Sequence, residues 1–254
     1  FHQQNNDAIL PFTAEQIRMM RRVYYGQISL IDYEVGRLLA YLDRSGKSRD
    51  TLVVFTSDHG DYQGDHGLLT KSPALYDCLV RVPLIFYWPD GIDRGRLDER
   101  FVSHIDLLPT FCELAGAEVP NSVQGLSLLE NLRDAGEGYP VRRAGFSEYG
   151  VPGQPYTPRR LREEGLTDKK FMNPSGEPLP WEGNPVSLSG RIYMFRTREW
   201  KFVWEPGGRN ELYDLLKDPY ELTNLAGLPA LSAVESSLQA TLQEWLSNMP
   251  EPRH

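Results

Sequence analysis

The sequence predicts an α/β protein, a main α/β domain followed by a small antiparallel-sheet subdomain with one helix. Three observations carry this. A long amphipathic helical pattern occupies the first part of the chain. Two short runs downstream are apolar at every position, as strands covered on both faces are. After about Gly136 the texture changes to proline, glycine and charge, and then to alternating aromatic segments. Helix, buried strand, polar loop, helix, buried strand is the rhythm of a sheet layered with helices.

Each element can be justified in order. From Thr13 to Leu42, the residues Ile17, Met20, Tyr24, Ile28, Ile31, Val35, Leu38 and Leu42 recur at steps of three and four, which predicts a helix with one buried stripe. Thr13 and Gln16 form a capping box at its start, and Gly46 stops it. Thr51 to Ser57 (TLVVFTS) and Val82 to Trp88 (VPLIFYW) are the two buried strands, the second closed by Pro89-Asp90-Gly91. Between them lie a glycine-rich polar stretch, Asp58 to Ser72, and a short helix near Ala74 to Val80. Ile105 to Gly116 reads as another helix ended by its glycine. Tyr149 to Pro185 is a long loop or insertion, and loops of that length are usually functional or mobile. Arg191 to Glu205 reads as a β-hairpin turning near Arg198-Glu199, Glu211 to Leu215 as a further strand, and Pro229 to Met249 as an amphipathic closing helix. The division is into residues 1–145, part of an α/β core, and 146–254, the insertion and the α+β subdomain.

Bulk properties narrow the function. At 40% hydrophobic residues, 254 residues can bury a core without disulfides or a structural metal. The net charge of −8, from 27 basic and 35 acidic residues, argues against a general binder of nucleic acid or anionic membrane. Cys78 and Cys112 are the two cysteines; they fit no metal-knuckle spacing and read as buried free thiols. No run reaches the roughly eighteen apolar residues of a membrane span. The opening FHQQNNDAILPF reads as a loop from within a longer protein, so the expectation is a fragment whose compartment is open.

The chemistry concentrates in TSDHGDYQGDHGLLTK, residues 56–71. It follows a strand directly, and ligand sites in open α/β sheets lie at the carboxyl ends of strands. Asp58 and His59 can ligate a metal through one oxygen and one nitrogen. Gly60 lets the backbone turn. Asp65-His66-Gly67 adds a second polar pair, and Lys71, thirteen residues past Asp58, offers a point cation to an oxyanion. A lone Asp-His after a strand is more often a turn, and a lone lysine more often solvated; the joint pattern is what favours a site.

The run TLVVFTSDHGDYQGDHGLLTK…YD…RVPLIFYWPDG resembles the central segment of sulfatases in the alkaline phosphatase superfamily. IDYEVGRLLAYLDRSG, FVSHIDLLPTFCELAG, QGLSLL and FRTREWKFVW…ELYDLLKDPYELTNLA resemble the flanking blocks of that family. The resemblance implies part of an alkaline-phosphatase-like sandwich, a mostly parallel sheet between helices. It makes Asp58 and His59 two of four protein metal ligands, with histidine in the second position as in the iduronate-sulfatase-like and phosphonate-monoester-hydrolase-like branches. It makes Lys71 the lysine that binds sulfate or phosphonate oxygens. It leaves His66 facing the site, in contact with the leaving group or shaping the loop, and His104 structural. The family implies Ca²⁺ as the metal, with Mn²⁺ in the phosphonate-hydrolysing branch and imidazole ligation tilting toward Mn²⁺ or Zn²⁺.

The sequence also departs from the family. It holds no CxPxR or SxPxR motif to supply the formylglycine nucleophile, and no paired aspartates to supply the other metal ligands. Both would lie in an N-terminal half that precedes this chain. The expected activity is hydrolysis of sulfate monoesters, such as a sulfated sugar or an aryl sulfate, with this chain carrying half the site. Phosphonate monoester or phosphodiester hydrolysis is the alternative, and an inactive fragment or pseudoenzyme binding module is a third reading. The expected partners are the small anionic ester or sulfated carbohydrate and the missing N-terminal half. In the insertion, Arg159, Arg160, Arg162, Lys169 and Lys170 form a basic cluster, with Tyr156 and Trp181 nearby; a solvated loop or a pocket wall both suit them.

Overall fold

The computed structural model describes residues 12–71, 74–92, 95–133, 142–150, 191–206 and 210–248. They fall into two compact units, the first within 12–63 and 81–145, the second within 64–80 and 146–254. The basic cluster, Tyr156 and Trp181 lie outside the described residues.

In the first unit, helix α1 runs from Ala14 to Arg44. The Thr13 hydroxyl accepts from the Gln16 backbone, and the Gln16 side chain accepts from the Thr13 backbone at 2.8 Å, closing the expected capping box. Ser45 caps the other end, and Gly46 takes the left-handed conformation (φ +70°) that ends the helix cheaply. One expectation is corrected: the stripe is not buried. No residue of α1 is buried, and Ile28, Ile31 and Leu38 are exposed together with Met19, Val23 and Leu30. Ile17, Met20, Tyr24, Val35 and Leu42 are only half-buried. The period marks a face suited to burial, but the described residues supply no cover for it.

Strand β1 (Val53–Thr56) pairs with β2 (Leu84–Tyr87), Val53 opposite Tyr87 and Thr56 opposite Leu84. The pairing is antiparallel, which corrects the expected parallel sheet. A parallel return requires a crossover, usually a helix laid along the sheet. Among the described residues the α-helix in this link is the four-residue α2, Asp77–Val80. The strands are also not buried on both faces: Phe55, Ile85 and Tyr87 are exposed, and β2 alternates.

The rest of this unit is organised around Asp106. A short 3-10 turn, His104–Asp106, leads into α3, Leu107–Leu114. The Asp106 carboxylate is 1% exposed. It accepts from the backbone N–H of Ser103 and of Leu126, both at 2.8 Å, and from Arg142 Nη2 at 2.5 Å. Thr110 extends the network, donating to the Asp106 carbonyl at 2.6 Å and accepting from Leu128 N at 2.8 Å. The Leu126 bond requires glycine beside it: a Cβ on Gly125 would fall 1.8 Å from the Ile105 carbonyl oxygen. Helix α4 follows, Leu129–Arg133.

The second unit contains a sheet of β3 (Gly145–Tyr149), β4 (Ile192–Arg196), β5 (Trp200–Trp204) and β6 (Glu211–Asp214), in that spatial order. β4, β5 and β6 are antiparallel, as the hairpin pattern predicts. Helix α5, Ser232–Ser247, closes the unit. It buries Leu242 completely and lays Trp245 flat on Phe146, ring centroids 4.2 Å apart. Leu75, Ile192, Met194 and Val203 form the core, with Val80 and Tyr149 packed against it. Thus the segment before α2 shares a core with the C-terminal sheet. Cys78 and Cys112 are free and half-buried; burial pushes the Cys78 thiol up to about 12, with Asp65 and Glu221 adding to the shift, so it stays protonated and inert. Among the described residues no helix is long and apolar enough to cross a membrane.

Candidate active site

β1 delivers the chain to Asp58 and His59. Just past the strand, the Ser57 hydroxyl donates to the His59 carbonyl at 2.8 Å, and Asp58 Oδ1 accepts the His59 N–H at 3.0 Å. These two bonds hold the turn in one shape. His59 Nδ1 lies 2.7 Å from the Gly60 carbonyl oxygen. A carbonyl only accepts, so Nδ1 carries a proton; in the neutral ring Nε2 is then the atom with the free lone pair. That tautomer is the one a metal-binding imidazole needs, and a backbone carbonyl is a usual way of fixing it. His59 Nε2 and Asp58 Oδ2 then stand 3.5 Å apart, the carboxylate largely exposed. Two ligands at about 2.2–2.5 Å from one ion, roughly at right angles, are separated by about 3.1–3.5 Å. The pair therefore fits one edge of a cation's coordination shell. Among the described residues, no group of three or more His, Cys, Asp or Glu side chains comes together to complete such a shell.

Two residues back, Thr56 Oγ1 is 3.3 Å from His104 Nε2. That contact makes His104 a brace at the strand end. On the other side of the turn, Asp61 Oδ1 accepts from both the backbone and the side-chain amide of Gln63, and the Gln63 carbonyl accepts from Arg21 Nε of α1 at 2.7 Å.

His66 and Lys71 belong to the second unit. The segment from Gly64 to Leu68 closes on itself: Gly64 N donates to the Leu68 carbonyl at 2.9 Å, and Leu68 N to the Asp65 carbonyl at 2.9 Å. His66 and Thr70 both take φ of +55°, a left-handed conformation that is uncommon for any non-glycine residue and a strained one for β-branched threonine. The His66 ring lies on Tyr76, centroids 3.6 Å apart and planes 5° from parallel. Burial lowers the His66 pKa, Asp65 pulls it back up, Lys201 lowers it and Asp218 raises it; the balance is downward. At neutral pH the ring is therefore neutral. Lys71 is exposed.

The structure thus brings Asp58 and His59 together at the end of β1 and places His66 and Lys71 on one segment of the other unit. Sequence reasoning missed what stands behind that segment. Asp77, next to Tyr76, is gripped by Arg196 and Lys201, and Lys201 also meets Glu221. The available signal was a lysine inside WKFVW, a polar residue in a strand whose neighbours are all apolar or aromatic.

The described residues thus carry an adjacent Asp-His pair at a strand end of an α/β fold, with a lysine and a histidine close by in sequence. Comparison with known proteins sharpens this: the sulfatase family profile matches residues 2–117. The chain belongs to the sulfatase family of the alkaline phosphatase superfamily. It is 33% identical over 235 residues to the multifunctional alkaline phosphatase superfamily protein PehA of Trinickia caryophylli, covering 91% of this chain and 41% of that protein. It is 28% identical over 227 residues to the N-acetylglucosamine-6-O-sulfatase of Bacteroides thetaiotaomicron, covering 88% of this chain and 35% of that protein. The crystal structure of the phosphonate monoester hydrolase of Agrobacterium radiobacter superposes with a TM-score of 0.77 at 30% identity, covering 94% of this chain and 44% of that one. The overall fold is therefore alkaline-phosphatase-like. The chain spans about two fifths of the length of the relatives it matches.

Proposed function

We propose that this chain carries one half of the active site of a metal-dependent sulfatase that hydrolyses sulfate monoesters, on a sulfated sugar or an aryl group. The observation that carries the reading is the Asp58–His59 edge: Oδ2 and Nε2 at 3.5 Å, with Nδ1 committed to the Gly60 carbonyl. Asp58 and His59 would hold the metal, Ca²⁺ being favoured and Mn²⁺ the alternative. A bound divalent ion supplies positive charge to the ester oxygens and helps activate the nucleophile.

This chain's own residues have separate tasks. Asp58 and His59 orient donor atoms toward a common point. Lys71 provides a cation for the oxygens that gain charge as the ester bond breaks. His66 faces the leaving oxygen. Its lowered pKa confines a proton-donating role to acidic solution; near neutrality the neutral ring can only offer a hydrogen bond. The formylglycine nucleophile and the remaining metal ligands would come from polypeptide beyond this chain, which would also cover the apolar face of α1.

Phosphonate monoester or phosphodiester hydrolysis is the second reading, favoured by histidine at position 59 and by the likeness to the phosphonate monoester hydrolase. The full-length gene product, loaded in turn with Ca²⁺ and Mn²⁺, should be assayed on an aryl sulfate and on an aryl phosphonate monoester. Faster turnover of the sulfate supports the first reading and faster turnover of the phosphonate the second. Metal bound with neither ester cleaved would leave a non-catalytic binding module, the third reading. A coding sequence upstream of Phe1 without a CxPxR-type or SxPxR-type motif would sink the sulfatase mechanism.

A further inference from the structure

The described residues contain one dense cluster of buried charge that the proposed chemistry does not use. Lys201, on β5, is wholly buried. Its Nζ lies 2.9 Å from Asp77 Oδ1 and 2.5 Å from Glu221 Oε1. Arg196, on β4, reaches both Asp77 oxygens, at 3.0 Å, 3.1 Å and 2.9 Å. Glu221 Oε2 in turn accepts the backbone N–H of Asp77 at 2.7 Å. Arg196 and Lys201 are direct cross-strand partners in the β4–β5 register. Two cations opposite each other on neighbouring strands repel, and this pair makes sense only with Asp77 between them.

The cluster is not explained by stability. Buried ion pairs recover little more than they lose on leaving water, and apolar side chains of similar volume often do as well or better. Lys201 lies among Trp200, Phe202 and Val203, where an apolar residue would be unremarkable. Glu221 also takes a left-handed φ of +58°, an arrangement that costs energy and persists only where the surroundings enforce it. What the ionic cluster adds is position. It holds Asp77 by side chain and backbone, Tyr76 directly precedes Asp77 in the chain, and Tyr76 is the plate on which His66 lies.

We infer that Lys201, with Arg196 and Glu221, is a positioning residue: it anchors the segment bearing His66 and Lys71 to the C-terminal sheet through Asp77 and Tyr76. The C-terminal subdomain is then part of the catalytic apparatus without touching substrate. This rests on the reading of His66 and Lys71 as substrate-side groups. It also accounts for the balance of charge at Asp77: burial raises its pKa, but the Lys201 charge and the hydrogen bonds from Arg196 and Lys201 outweigh that and hold the carboxyl below its ordinary range.

The test is amide hydrogen exchange and a ring titration of His66 by NMR on the full chain, native and Lys201→Met. Exchange at Gly67 and Leu68, whose N–H groups close the His66 turn, should speed up at least about tenfold, while the β5–β6 ladder keeps its protection. The charged or titratable groups around His66 are Asp65, Lys201, Asp218 and Tyr76. Removing the Lys201 cation should move the ring pKa up. Unchanged exchange at Gly67 and Leu68 overturns the proposal, and so does a uniform loss of protection through the sheet, which would make Lys201 a structural residue only. If Lys201→Met does not fold, Arg196→Lys takes its place, keeping the charge but losing the two-pronged grip on Asp77. Faster exchange confined to Gly67 and Leu68 again supports the proposal, and unchanged or uniformly faster exchange again overturns it. Neither readout involves substrate. Failure of the functional reading would appear separately, as full ester turnover by His66→Gln in the full-length protein.

Discussion

The His66 ring lies face to face on the Tyr76 ring, 3.6 Å between centroids and 5° from parallel. Contact of this kind keeps water off one face of the imidazole, and burial is the largest cause of its lowered pKa. A group with a lowered histidine pKa is protonated only below its ordinary value of about 6.5. If His66 donates a proton to the leaving oxygen, turnover should fall as pH rises through that lowered pKa. Tyr76→Ala should then move this limb upward, toward about 6.5, as the ring regains water. The check is the dependence of kcat on pH for both proteins; a limb that stays in place, or that moves down, refutes the assignment.

The same shift has a stability sign. The unfolded chain binds a proton at His66 more readily than the folded one, so folding is favoured above about pH 6.5 and loses that contribution as pH falls through the lowered folded value. Asp77 behaves alike at lower pH: its folded pKa is depressed, so its contribution is complete above its unfolded value, near 3.9, and disappears as pH falls through the folded one. Urea midpoints should decline in two stages, a shallow one below about pH 6.5 and a steeper one below about pH 4. In Asp77→Asn the second stage should shrink.

At the strand end, Asp58→Ala should abolish metal binding by the full-length protein, because the His59 nitrogen alone leaves a single ligand on this edge of the shell. His59→Ala should weaken it as severely, because the Asp58 oxygen is then alone on the same edge. Lys71→Ala should leave metal content intact and reduce turnover by about 10²-fold, the usual cost of one electrostatic donor to a developing oxyanion. Metal analysis together with initial rates separates the two effects. Metal lost in the Lys71 variant, or retained in full by Asp58→Ala, would reverse the roles.

These residues also show which parts of the molecule the sequence reveals. α1 and its capping box are local: Thr13 and Gln16 are three positions apart, and their pattern needs no partner. The β4–β5 hairpin is equally local, and its turn is built by Thr197, whose hydroxyl accepts from the Glu199 and Trp200 backbones. Asp58 and His59 were legible because they are adjacent and follow a strand. Pairing and burial were not. An apolar run such as VVFT has the same appearance in a parallel or an antiparallel sheet, and the turn-back at β2 depends on the connection rather than on the strand. The Asp77 cluster was illegible for another reason: its contacts span 119, 124 and 144 residues of chain, and nothing in the spacing of single charges records them.

The Asp106 network yields a prediction independent of catalysis. Arg142→Ala would leave a carboxylate that is 1% exposed without its cation, a loss on the order of 3–5 kcal/mol. Arg142→Met should cost nearly as much, because the apolar stem remains while the charge does not. Gly125→Ala should cost at least about 1–3 kcal/mol, the usual penalty for overpacking, since the new Cβ meets the Ile105 backbone and pushes Leu126 N off Asp106. Urea unfolding of the three variants is the measurement; a change under about 0.5 kcal/mol, the range of ordinary surface substitutions, would show that the network is not holding this unit.

The exposed face of α1 leads to the last prediction. Val23, Leu30, Ile31 and Leu38 stand in solvent in this chain, and so do Ile85 and Tyr87 on β2. Large apolar side chains exposed in number on one helix mark a face where other polypeptide packs. In the proposed full-length enzyme it would be covered, and each of these side chains would then add roughly 1.5–3 kcal/mol by burial. Leu38→Glu should therefore change the stability of the 254-residue chain by less than about 0.5 kcal/mol, as a surface substitution does. The same change in the full-length protein should cost several times more, on the scale of about 2–5 kcal/mol for a disrupted core position. Denaturant midpoints for the two lengths, measured side by side, decide the matter. Equal effects in both would mean that the face stays open and that the rest of the site is assembled elsewhere.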